Sequence, residues 1–93
     1  MKANFNQSFK DFRGNEVGVK MADEIGKVLF NLSASNKAPL SADEKYMAYK
    51  LCNRICANGE VELNSEECAF IVRICGEYLT AGAYGQVRDL IEK

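Results

Sequence analysis

The sequence predicts an α+β fold, in which an N-terminal β-hairpin and one short strand pack against about four amphipathic helices. Three observations carry this. Two short alternating runs flank a Gly-Asn turn near the N-terminus. Beyond Met21 the apolar residues recur with a helical period. Between Asn58 and Glu67 the chain stops one helix, writes a short extended segment and starts another.

Met1 to Gln7 is polar and is expected to be loose. In the hairpin, Ser8–Phe12 and Glu16–Val19 alternate around Arg13-Gly14-Asn15, a turn signal. Gly18 weakens the second strand, because glycine has no side chain to pack.

From Met21 the residues Ile25, Val28, Leu29 and Leu32 fall at i, i+3, i+4 and i+7, one face of a helix. Asp23 and Glu24 lie in its first turn, where carboxylates favour the positive end of the helix dipole. Ser33 to Pro39 reads as a connector, with Ala38 turned away from helix by the proline after it.

Ser41-Ala42-Asp43-Glu44 reads as a capping box, with hydroxyl and carboxylate each satisfying the other residue's backbone N–H. The helix it starts carries Met47, Leu51 and Ile55 on one stripe, flanked by Tyr46, Cys52 and Cys56, and Gly59 is placed to end it. Glu60–Leu63 is too short to stand alone, so it is expected to join the hairpin as a third strand. Asn64 with Glu67 forms a second capping box. Phe70, Ile71, Ile74, Cys75, Tyr78 and Leu79 then give a broad apolar face, with Gly76 a candidate kink. Thr80–Ala83 breaks that helix, and Tyr84, Val87, Leu90 and Ile91 form a short last one.

Ninety-three residues is the length of one domain. Its hydrophobic content of 47% and charged content of 27% are ordinary for a globular protein. The net charge is −1, without the basic excess of a domain dedicated to duplex DNA. The first twenty residues hold four basic and two acidic side chains, an asymmetry too small to name a partner. No stretch approaches the roughly 20 apolar residues of a membrane span. The N-terminus lacks the apolar region of a secretory signal, so the four Cys are read as reduced thiols in a cytosol.

Those four Cys are the first candidate site. Cys52 and Cys56 are i, i+4 on one helix; Cys68 and Cys75 are i, i+7 on the next. The spacing puts each pair roughly on one face, so a four-thiolate zinc site between two helices is an alternative. Structural zinc draws its ligands from tight knuckles, however, and the preferred reading is small buried hydrophobes. A catalytic thiol lacks its usual partner, because the chain has no His. Cys68 lies near a helix start, but Glu66 and Glu67 oppose a lowered pKa there.

The acidic pairs Asp43/Glu44 and Glu66/Glu67 are explained by helix-start chemistry. No Gly-rich phosphate loop precedes a helix. Lys45, Lys50 and Arg54 on the second helix, with Arg13 at the hairpin tip, form a candidate nucleic-acid surface. The short turn of a helix-turn-helix is missing, and a solvated helix face is the simpler identity. Tyr46, Tyr49, Tyr78 and Tyr84, with Phe5 and Phe9, are candidate contact residues, of which Tyr49 and Phe5 are expected to lie outside.

The order Phe9–Glu16, Gly26–Leu29, Val61–Glu67 and Gly85–Glu92 resembles small bacteriophage- and prophage-encoded proteins of about this length. The resemblance covers most of the chain and rests on turns, caps and helix faces; the four Cys depart from it. It implies a phage origin, a bacterial host cytoplasm and no enzymatic chemistry, and it transfers no catalytic residues.

The leading expectation is a non-catalytic accessory protein that works through protein–protein contacts or self-association, without metal or cofactor. It would assist virion assembly or bind a host protein. The alternatives are a nucleic-acid-associated regulator using Arg13, Lys45, Lys50 and Arg54, and a zinc-stabilised module using Cys52, Cys56, Cys68 and Cys75.

Overall fold

The structure, a computed structural model, describes residues 2–33, 40–57 and 60–92. The element order is β1 (Lys2–Asn4), β2 (Ser8–Lys10), β3 (Glu16–Lys20), α1 (Met21–Phe30), α2 (Ala42–Ala57), β4 (Glu60–Glu62), α3 (Ser65–Tyr78) and α4 (Ala81–Ile91). The fold is α+β, as the sequence predicts. The expected ends at Ala38-Pro39 and Gly59 lie outside the described residues.

The strands form two separate antiparallel ribbons, β1–β4 and β2–β3. The third strand therefore does not join the hairpin. It pairs instead with Lys2–Asn4, the segment expected to be loose, in the register Lys2↔Glu62, Ala3↔Val61, Asn4↔Glu60. The cause is burial: Ala3 and Val61 are opposite one another and both face the core, and Phe5 just beyond is fully buried. The Phe5 carbonyl accepts the Ala22 N–H at 2.9 Å, which ties this segment to the start of α1.

Among the described residues, nineteen buried apolar side chains make one core, contributed by both ribbons and the four helices. On α2 the buried stripe is Ala48, Leu51, Cys52 and Ile55, with Met47 at its margin. On α3 it is Phe70, Ile71, Ile74 and Cys75; the helix continues through Gly76 to Tyr78. Both capping boxes form. The Glu44 N–H donates to Ser41 Oγ at 3.1 Å, and the Ser41 N–H to Glu44 Oε1 at 3.2 Å. The Glu67 N–H donates to Asn64 Oδ1 at 2.8 Å, and the Asn64 N–H to Glu67 Oε1 at 2.9 Å. Thr80 caps α4 through the Ala83 N–H.

Candidate functional site

Helix α2 has two sides with different work. Its inner side is sewn to α3 by two ion pairs, Arg73 Nη2 to Glu44 Oε2 and Arg54 Nη1 to Glu67 Oε2, each at 2.5 Å. Arg54 also donates to the Glu62 carbonyl, so one guanidinium links α2, β4 and the cap of α3. The Arg73 contact, with the Ser41 N–H, holds the Glu44 carboxyl below its usual range. For Glu67, burial pushes the pKa up, but the Asn64 N–H and Arg54 together outweigh it and the net shift is downward. Glu44 and Glu67, one member of each acidic pair, are thus occupied in holding helix ends together.

On the side facing α1 the helices approach closely at Gly26. A Cβ there would sit 2.6 Å from the Cys56 sulfur and 3.8 Å from that of Cys52. The Cys52 thiol donates to the Gly26 carbonyl at 3.4 Å, and Cys56 to the Ala22 carbonyl at 3.7 Å. Burial raises the Cys52 thiol pKa, with a smaller contribution from Cys56, and burial pushes Cys75 up to about 12. Cys68 is half-buried in a groove with Leu63, Val72 and Ile91. No disulfide forms among the four cysteines. The structure does not bring them to one point. Among the described residues no three His, Cys, Asp or Glu side chains are placed to hold a metal ion. The four-thiolate geometry fails because Cys52 and Cys56 are turned to α1 rather than to α3.

The outer side of α2 is different. Tyr46 is 61% exposed and Tyr49 50%, and the two rings stack with centroids 6.4 Å apart and planes 17° apart. Phe30, at the end of α1 and 62% exposed, reaches Tyr49 with centroids at 6.5 Å. The Lys50 ammonium lies 5.2 Å over the Tyr46 ring. The result is an aromatic shelf spanning two helices, edged by lysine. A smaller apolar group lies on the hairpin side, where Phe12, Val17, Val19 and Tyr78 line one cavity of about 430 Å³.

Of the sequence candidates, Tyr49 is exposed as expected, while Phe5 and Phe9 are core and Tyr84 is half-buried. Phe5 is inside because β1 pairs with β4 and carries it under the helices. Phe30 was not among the candidates. Its position off the Ile25–Leu32 stripe is the signal that finds it.

Three of the four cations of the nucleic-acid alternative already contact other side chains or backbone of the chain. Arg13 lies over Phe12 at 5.3 Å, Lys50 over Tyr46, and Arg54 is held by Glu67 and Glu62. No helix among the described residues is long and apolar enough to cross a membrane.

This arrangement belongs to the class of small α+β domains with an exposed aromatic face, and comparison with known proteins adds no family to it. No family model, no curated protein and no solved structure matches the chain.

Proposed function

We propose that this protein is a non-catalytic accessory protein that works by gripping another protein on its α1–α2 aromatic shelf. The observation that carries the reading is the Phe30–Tyr49–Tyr46 row, in which Tyr49 meets both other rings and each ring is at least half exposed. Isolated exposed apolar residues are normal on a protein surface, but a contiguous group points to a contact site. Aromatic side chains supply most of the binding energy at such sites, since they bury large area at small entropic cost. Lys50 over the Tyr46 ring and Lys45 one helical turn before Tyr49, neither in an ion pair among the described residues, favour an apolar partner segment flanked by acidic residues. The resemblance to small bacteriophage proteins suggests two settings in a bacterial cytoplasm, particle assembly and occupation of a host protein.

The test is affinity capture compared between the wild type and Tyr46→Ser/Tyr49→Ser. The reading expects a captured protein that the double variant loses, with unchanged far-UV circular dichroism. Equal capture by both, with Tyr78→Ser as the control surface, contradicts it.

A second reading has one observation in its favour. Stacked tyrosines with lysines alongside also suit the bases of a single-stranded nucleic acid. That reading requires binding of a short oligonucleotide that weakens steeply as salt rises. Absence of binding at low salt removes it.

A further inference from the structure

We propose that β3 pairs with the β3 of a second copy of this chain, antiparallel and centred on Gly18, to make one four-stranded sheet from two hairpins. This goes beyond the aromatic shelf, since it concerns another surface and another occupant.

The two edges of the hairpin are treated differently. The β2 edge is closed by a side chain from α4. Lys10 donates its N–H to Gln86 Oε1 at 2.8 Å, and its carbonyl accepts from Gln86 Nε2 at 2.9 Å. The β3 edge has no strand beside it among the described residues. Every residue of β3 is exposed, whereas each of the other three strands buries its middle residue. An open edge of this kind is a template for another strand.

The direction of the free backbone groups can be read from their neighbours. The Asn15 carbonyl points at β2, accepting the Asp11 N–H at 2.8 Å. In a trans peptide the next N–H points the opposite way, so the Glu16 N–H faces the open edge. At the other end the Met21 N–H points at the Gln7 carbonyl at 2.8 Å. The Lys20 carbonyl therefore also faces away from β2, on the side where the first turn of α1 begins. Alongside, a groove of about 630 Å³ separates β3 from α1, lined by Gly18, Val19, Asp23, Glu24 and Phe30. The helix does not fill the space at the edge.

The occupant is argued from the order of the five residues, Glu16-Val17-Gly18-Val19-Lys20. Laid antiparallel on itself with glycine opposite glycine, this segment is its own complement. Glu16 faces Lys20 of the second copy, Val17 faces Val19, and by two-fold symmetry each contact occurs twice. The Glu16 N–H of each chain donates to the Lys20 carbonyl of the other. Neither charged side chain is in an ion pair among the described residues. Opposite charges and β-branched pairs directly across a ladder both stabilise it. A slip of one or two residues loses both charge pairs, which fixes the register.

Gly18 has φ +78°, in the region that favours glycine, and its N–H is drawn to Ser8 Oγ at 3.2 Å. The central Gly18 pair therefore contributes no hydrogen bond, and the ladder is held at its two ends, where each Glu16 meets a Lys20. Val17 and Val19 of both chains then extend the apolar strip that already contains Phe12 and Tyr78. Five residues a side is a small contact, below the area of long-lived complexes, so the dimer is a weak one that forms in the high micromolar range.

Sedimentation velocity across micromolar to millimolar protein at low salt tests this. The wild type shifts to dimer as concentration rises. Glu16→Lys and Lys20→Glu each weaken the dimer by about tenfold or more, because both symmetric charge pairs turn repulsive. An equal mixture of the two variants, and the double variant Glu16→Lys/Lys20→Glu, recover it. These residues are exposed, so far-UV circular dichroism stays unchanged. A wild type that remains monomeric, single variants that dimerise like wild type, or a mixture without recovery overturns the proposal. So does a dimer abolished by Tyr46→Ser/Tyr49→Ser but insensitive to the β3 charges, which places the self-contact on the aromatic shelf.

Discussion

The β1–β4 and β2–β3 ribbons are both two-stranded and antiparallel, yet one is turned into the core and the other out of it. In β1–β4 the central pair, Ala3 and Val61, is buried, and Arg54 fastens the Glu62 carbonyl to the α2–α3 seam. In β2–β3 only Phe9 is buried; β3 lies outside it with every residue exposed. A ribbon this short is marginal alone in water and needs a surface to pack on. The first finds that surface wholly within its own chain. The second finds half of it, through Phe9 and Gln86, and leaves its β3 residues exposed.

The largest expected effect that sharpens this contrast comes from two phenylalanines. Phe5 follows β1 and is 0% exposed; Phe12 ends the run begun by β2 and is 93% exposed. Phe5→Ala is expected to cost about 3–5 kcal/mol in urea denaturation, the range for a large-to-small change in a core. Phe12→Ala stays within about 0.5 kcal/mol. Equal costs would mean that the hairpin, too, is core.

Next is the cap where β4 hands over to α3. Asn64→Ala removes the acceptor of the Glu67 N–H and costs about 1 kcal/mol by the same measurement. The matching change at the hairpin end of α1 is Lys20→Ala. Lys20 sits at the N-cap without a side-chain cap bond, so its loss leaves monomer stability unchanged.

A comparable effect tests the α1–α2 contact on which the aromatic shelf rests. Alanine is about 1 kcal/mol better than glycine inside a helix. Gly26→Ala is nevertheless expected to give no gain, because its Cβ meets the Cys56 sulfur at 2.6 Å. In a Cys56→Ala background the same substitution recovers about 1 kcal/mol, so a double-mutant cycle reports the clash directly.

The smallest effect is in acid. Glu44 and Glu67 both titrate below the usual carboxylate value of 4.5. A carboxyl with a lowered folded-state pKa is protonated first in the unfolded chain, so its contribution is complete above that value. It is lost as pH falls through the lower folded-state pKa. Thermal melts should therefore weaken below about pH 4.5. Glu67→Gln flattens that slope.

The helices and their starts were legible because their signals are local. Ser41 with Glu44, and Asn64 with Glu67, are three residues apart, and the predicted boxes form. The hairpin was legible for the same reason. β1 was not, because Lys2-Ala3-Asn4 shows a single small apolar residue, and its partner lies across the chain in β4. The shelf was half legible: Tyr49 was expected outside, while Phe30 joins it only through packing of α1 on α2. Gln86 closing the β2 edge spans 76 residues, and a side-chain to backbone contact at that distance leaves no mark in a local pattern. The open β3 edge follows from that contact and from the loss of the expected third strand, so it becomes visible only once the fold is known.

The central claim is that β1–β4 is complete within one chain and β2–β3 is completed by a second. Amide hydrogen exchange followed against protein concentration tests it most directly. The account predicts that the Glu16 amide, which faces the open edge, exchanges fast in dilute solution and gains protection as concentration rises. The ladder amides of β1 and β4 keep the same protection throughout. A Glu16 amide whose exchange is independent of concentration, or a parallel change in both ribbons, contradicts it.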